Sequence, residues 1–302
     1  MDAPSRRIVF LGKTGAGKSS TANTIFGETL FKENQSSKSE GISFQVGTRS
    51  VNGRMITLID TPGFFDEGIS EQDLKPEITK FITESAPGPH AFLIVLKVEK
   101  YTEHEQAVIA TIRESFSEEA FKYAAVVFTH GDQLREGQTI EDFICEDKDL
   151  SDLVRKCGGR CHVVDNKYWK DKPVNEYRSN KFQVEKLLQA IDKMVKDNND
   201  GYYTNEMLQA VQEEIQREKE RMKGSAGNMS AEEIRRMVME RIPMISTVAA
   251  SVVAALRAGV GELMRWFTGS PAADDAETPL EGAGMGAKAE KPAVDEETDD
   301  AE

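Results

Sequence analysis

The eight residues Gly12-Lys13-Thr14-Gly15-Ala16-Gly17-Lys18-Ser19 fit the pattern G-x-x-x-x-G-K-[ST] in full. Their flanks fit as well. Residues 7–11 form an apolar, strand-like run, and residues 20–26 are compatible with a helix beginning near Ser20. Glycines in such a loop let backbone N–H groups turn inward around phosphate oxygens. The helix that follows starts with free N–H groups and a positive dipole end, which favour an anion there. Lys18 is expected to stand exposed toward the β- and γ-phosphates, and the Ser19 hydroxyl to ligate Mg²⁺. A strand, a glycine-rich loop and a helix in that order commit the chain to an α/β layer architecture.

Apolar runs alternate with longer amphipathic segments up to about residue 196. The strand candidates are 7–11, 43–50, 55–60, 91–96, 124–129 and 161–164, with helices at 103–116 and 180–196. Thr102-Glu103-His104-Glu105 reads as a capping box opening the first of these helices. Strands alternating with helices predict a mostly parallel central sheet, with any ligand at the carboxyl ends of its strands. The P-loop, Asp60, Thr129 and Val164 all end strands, so they should converge on one face. The expected domains are a nucleotide-binding unit at 1–198, a helical extension at 199–270 and a disordered tail at 271–302. Within the extension, Met207, Leu208, Val211 and Ile215 form a narrow apolar stripe. A helix with that stripe lies on the first domain or pairs with a partner.

Charge excludes one class of partner. The 302 residues carry a net charge of −14, so no basic excess is present to neutralise nucleic-acid phosphates. Much of the acidity lies in residues 271–302, which hold eleven Asp or Glu against two Lys and should be disordered. The three cysteines, Cys145, Cys157 and Cys161, suit reduced thiols in a cytoplasmic protein better than a disulfide framework or a zinc site. Residues 8–11 are too short for the apolar core of a secretory signal. The most apolar stretch, 244–267, is interrupted by Arg257, Glu262 and Arg265, so it does not read as a membrane span. It reads either as a helix buried against protein or as a membrane-surface helix ending in Trp266-Phe267.

A P-loop alone does not select a nucleotide. Asp60-Thr61-Pro62-Gly63 follows a strand and matches D-x-x-G, in which Asp60 holds Mg²⁺ through water and the Gly63 N–H senses a γ-phosphate. Next, Phe128-Thr129-His130-Gly131-Asp132 ends a buried strand. A carboxylate there accepts two hydrogen bonds from guanine, N1–H and the 2-amino group. Adenine offers no such pair, which argues against an ATP-using enzyme. Asp132 is therefore the expected specificity residue. His130 stands where most GTPases carry Asn; it stacks on the base, donates to it, or is a surface residue. Asp165-Asn166-Lys167 ends the last strand, and Asn166 is placed to close over the base. Trp169 either shields the base edge or packs.

These motifs, with Val95-Leu96-Lys97-Val98-Glu99-Lys100-Tyr101-Thr102 between them, resemble those of the GTPases of immunity-associated proteins, also called immune-associated nucleotide-binding proteins. Septins and chloroplast-import GTPases are related to that family, and the latter share Thr-His-Gly-Asp. The resemblance covers about residues 6–242. It implies a P-loop GTPase domain with a helical C-terminal extension, GTP and GDP as ligands with Mg²⁺, self-pairing through the nucleotide face, and peripheral association with internal membranes. Two positions depart from the pattern. The first switch reads Ser39-Glu40-Gly41, without the usual Thr at 41, so Ser39 or Ser43 would have to substitute. Phe64 follows D-x-x-G where Ras-like enzymes carry a water-positioning Gln. Two functions fit: a switch with slow intrinsic hydrolysis, completed by a second protomer or partner, and a nucleotide-gated membrane scaffold in which turnover is incidental.

Overall fold

Near-continuous runs of Val, Ile, Leu and Phe mark strands that are buried on both faces, as a parallel sheet covered by helices requires. The computed structural model of the chain describes residues 5–33, 44–61, 77, 80–116, 118–173, 176–204 and 206–223. Its six strands are β1 (Arg6–Leu11), β2 (Gln45–Val51), β3 (Arg54–Asp60), β4 (Ala91–Lys97), β5 (Ala124–Thr129) and β6 (Cys161–Val163). They form one sheet in the order β2-β3-β1-β4-β5-β6. Only β2 runs antiparallel to its neighbour, β3, reached through the tight turn at Asn52-Gly53. The remaining pairs are parallel, with Val9 opposite both Ile59 and Phe92. All five parallel strands therefore end on one side.

The helices are α1 (Lys18–Phe26), α2 (Glu103–Phe116), α3 (Ile140–Cys145), α4 (Lys148–Lys156), α5 (Asn180–Asp197) and α6 (Glu206–Lys223). Successive strand residues point to opposite faces, so each strand feeds two cores. Ile8, Phe10, Leu58, Leu93 and Val127 pack with α1 and α5, which supply Ala22, Ile25, Leu187 and Ile191. Val9, Ile59, Phe92, Ile94 and Phe128 pack with α2, α3, α4 and α6 on the other face.

The apolar stripe of the extension lies on the first domain. Leu208, Val211 and Ile215 of α6 are 4%, 0% and 3% exposed, within the same core as Phe92. The chain entering α6 is tied down before the helix starts. Tyr203 N–H donates to Pro89 O at 2.9 Å, and its ring meets that of Phe92 edge-on at 5.3 Å. Thr204 Oγ1 donates to Pro87 O at 3.0 Å. No helix among the described residues is long and apolar enough to cross a membrane. The segments 244–267 and 271–302 lie outside the described residues.

Candidate nucleotide site

The loop after β1 is shaped by backbone that only glycine accepts at its first position. Gly12 has φ +144°, and a Cβ there would stand 2.6 Å from Val95 O. The loop then passes over the ends of β4 and β5, as their carboxyl-edge position requires. Thr129, the last residue of β5 and fully buried, donates its hydroxyl to Ala16 O at 2.8 Å. That bond joins the P-loop to the strand that leads to Asp132. The sequence marked Thr129 only as a strand end; its partner lies 113 residues away.

Lys18 departs from the exposed lysine expected of it. It is 7% exposed, and its ammonium folds back to donate to Gly12 O at 2.8 Å and Lys13 O at 3.0 Å. The physical reason is local: carbonyls of the glycine-rich turn point inward at this corner, and a buried ammonium must find acceptors. The charge is thus held at the mouth of the loop from below.

Lys13 points the other way. It forms ion pairs with Glu105 of α2 and, at 3.4 Å, with Glu99. Burial works against the Lys13 charge, but the two carboxylates more than offset it and raise its pKa. Glu105 is 5% exposed and also accepts the Thr102 N–H at 3.1 Å. Burial would raise the Glu105 pKa, yet Lys13 and Thr102 hold it below the usual carboxylate range. The capping-box glutamate therefore serves two purposes, closing the helix start and anchoring the P-loop. A capping pattern reveals the first role and not the second.

Asp60 ends β3 beside α1. Ser19 Oγ donates to Asp60 Oδ2 at 2.5 Å. Asp60 Oδ1 is buried with no hydrogen-bond partner among the described residues. Burial raises the Asp60 pKa against the pull of Ser19 and the charge of Lys18. An orphaned carboxylate oxygen next to a hydroxyl is a fitting pair of hard oxygen donors for Mg²⁺, which takes its other ligands from phosphates and water. No group of three or more His, Cys, Asp or Glu that could hold a metal occurs among the described residues. Gly63, Phe64, Ser39, Gly41 and Ser43 lie outside the described residues.

The second half of the site begins at His130. This exposed residue has φ 60° and ψ 47°, the left-handed region that His tolerates better than most side chains. Its Nδ1 lies 3.0 Å from the Thr129 hydroxyl. The reversal starts a single 3-10 turn, Gly131–Gln133, that carries Asp132 back over the sheet edge. Trp169 is 3% exposed and packs under this turn: a Cβ on Gly131 would stand 2.5 Å from its ring. Trp169 is thus a packing residue that supports the loop. Asn166 is fixed to α1, where Thr24 Oγ1 donates to Asn166 Oδ1 at 2.7 Å, and its amide sits beside Gly17. Gln133 Nε2 donates to Asp132 Oδ2 at 2.9 Å. The three cysteines are free, with Cys157 buried, Cys161 partly buried and Cys145 exposed.

A phosphate-shaped loop, a Ser–Asp pair at its edge and two further loops at the same sheet edge define the class: a P-loop domain of the GTPase kind. The chain belongs to the AIG1 family, whose sequence pattern matches residues 6–223. It is similar to immune-associated nucleotide-binding protein 8 of Arabidopsis thaliana, at 32% identity over 80% of this chain and 69% of that one. Immune-associated nucleotide-binding protein 9 of the same plant is 31% identical over 70% of this chain and 61% of its own. GTPase IMAP family member 8 of Mus musculus is 32% identical over 53% of this chain and 24% of its own. Among solved structures, Arabidopsis Toc33 in complex with Mg²⁺ and GMPPNP is 22% identical, covering 65% of this chain and 86% of that chain, with a TM-score of 0.49.

Proposed function

We propose that the protein binds GTP and GDP with Mg²⁺ and acts as a GTP-dependent switch, with slow intrinsic hydrolysis and nucleotide-dependent dimerisation. The observation that carries this reading is that one P-loop is joined to Asp60 through Ser19 and to the strand leading to Asp132 through Thr129. Phosphates would lie on the backbone of residues 13–18, with Lys18 turning from the carbonyls of Gly12 and Lys13 to the β- and γ-oxygens. Ser19 and Asp60 would hold Mg²⁺, which supplies charge neutralisation at the γ-phosphate. Asp132 would accept N1–H and the 2-amino group of guanine. Relatives named as nucleotide-binding proteins and as a GTPase support the assignment. Phe64 supplies no water-orienting group, which is why intrinsic turnover is expected to be slow.

Single-turnover GTP hydrolysis at low and high protein concentration tests the switch. A rate that rises with concentration supports catalysis completed in a dimer. Sedimentation as a monomer with both GDP and a GTP analogue at high concentration refutes the dimer. Phe64 also motivates a second reading, a membrane scaffold with negligible turnover. In that reading a GTP-driven dimer presents two copies of 244–267, and two weak lipid contacts act together. Liposome cosedimentation should then require both a GTP analogue and residues 244–267. Equal lipid binding by protein ending at residue 243 overturns the membrane role of 244–267.

A further inference from the structure

Asp165 is 2% exposed and has no task in the scheme above. Its Oδ1 accepts the N–H groups of Lys167 at 2.9 Å and Tyr168 at 2.5 Å. Its Oδ2 accepts the N–H of Asp132 at 3.2 Å. Asn180, at the start of α5 and 5% exposed, clamps the same residue from behind. Asp165 N–H donates to Asn180 Oδ1 at 3.0 Å, and Asn180 Nδ2 donates to Asp165 O at 2.7 Å. One carboxylate thus bridges the loop at 165–168 and the turn that carries Asp132, and its own backbone is held by the first residue of a long helix.

We propose that Asp165 is a positioning residue for guanine recognition, fixing the Asp132 turn so that its carboxylate meets the N–H donors of the base. The proposal rests on the reading of Asp132 as the residue that recognises guanine. Electrostatics point the same way. Burial and the adjacent Asp165 carboxylate both raise the Asp132 pKa. Burial also opposes the charge on Asp165, but the Tyr168 N–H, the Asp132 carboxyl and the N–H groups of Lys167 and Asp132 hold its pKa below the usual carboxylate range. A carboxylate whose charge is opposed by burial and by a neighbouring carboxylate gains most from a ligand that brings donors. Guanine brings two; adenine presents a lone pair at N1. Asp165 therefore both aims Asp132 and sharpens its preference for a donor-bearing purine. The turn has other anchors, since Gly131 N–H donates to Val164 O at 3.1 Å and Trp169 packs beneath it. Loss of the Asp165 carboxylate should free Asp132 without dismantling the turn.

The test is competition binding of GDP and ADP, with Mg²⁺, to full-length wild type, Asp165→Ala, Asp132→Ala and the double variant. Asp165→Ala should lower GDP affinity by about tenfold, within the range of coupled neighbours, and leave ADP affinity unchanged. In the Asp132→Ala background the same change should have no further effect on the GDP-to-ADP ratio, because Asp165 acts through Asp132. If Asp165→Ala does not melt as wild type does, Asp165→Asn replaces it, keeping one oxygen for the Lys167 and Tyr168 N–H groups. An equal loss of GDP and ADP binding, or losses that multiply in full in the double variant, overturns the proposal. So does an unchanged GDP-to-ADP ratio in the Asp165 variant when Asp132→Ala lowers it, and the guanine reading then survives. An unchanged ratio in Asp132→Ala overturns the guanine reading itself.

Discussion

One methyl group at position 12 would meet the carbonyl of Val95, on a backbone that L side chains rarely adopt. Gly12→Ala should therefore displace the P-loop and cost about 1–3 kcal/mol. Paired thermal melts and GDP titrations check this; unchanged values in both refute it. Lys18→Ala should leave a folded chain, because the ammonium donates to carbonyls of the P-loop itself and the lysine belongs to neither apolar cluster. Tight nucleotide binding should be lost, since Lys13, the other lysine of the loop, is paired with Glu105 and Glu99. A titration that returns wild-type GDP affinity contradicts the assignment. The residues legible beforehand, Lys18, Ser19, Asp60 and Asp132, all sit at fixed spacing from a motif or a strand end. Thr129 and Asp165 were legible only as strand-end positions at the ligand face, without their partners, and Glu105 and Asn180 were not legible as parts of the site. Each acts through a partner that only folding brings near, 113 residues away for Thr129 and 15 for Asn180. Nothing in local sequence distinguishes them from an ordinary strand residue, cap or loop acid.

At the scale of elements, α6 carries a weight its charged sequence conceals. Among its described side chains, Gln209, Glu213, Gln216, Arg217 and Glu220 are exposed, and Leu208, Val211 and Ile215 enter the core. Leu208→Ala should nonetheless cost about 2–5 kcal/mol, the usual range for a buried leucine. Urea unfolding of the full chain measures it; a change under about 0.5 kcal/mol, the size of a surface substitution, would show that α6 is not part of the cooperative unit. The strands were legible to within two residues: the central ones are buried on both faces and leave apolar runs, whereas the edge strand β2 is exposed at 48–50 and leaves none. The helices at 103–116 and 180–197 were equally clear, being long enough to repeat their period. The short helices α3 and α4 escaped notice. Six and nine residues give too few turns for periodicity, and their starts rest on side-chain caps. Thr139 and Asp142 cap each other at the first, and Asp147 accepts two N–H groups at the second. The capping box was the available signal, written here with Asp in place of Glu.

At the scale of the molecule, the buried His90 and the partly buried His162 set an acid limit. Burial, then the charges of Arg7 and Arg6, push the His90 pKa down to about 3. Burial alone takes His162 down to about 4. The unfolded chain takes up protons at both positions near pH 6.5, and the folded chain does not. Stability is therefore full above pH 6.5 and falls as the pH drops toward 4. The urea midpoint should be lower at pH 5 than at pH 7. A His90→Asn, His162→Gln double variant should narrow that gap, with Asn retaining an acceptor for the Arg7 N–H. An identical gap in variant and wild type would place the acid sensitivity elsewhere. The convergence of residues 12–19, 60, 129–132 and 165–168 on one sheet edge has a consequence for the life of the chain in a cell. No fragment holds the binding surface, so a nucleotide can recognise only the completed fold and acts as a folding ligand. At a free concentration of 100 times Kd it would add about 2.7 kcal/mol to the native state. The abundance of the protein would then follow the supply of its nucleotide, and a binding-dead variant would be cleared faster even where its core is untouched.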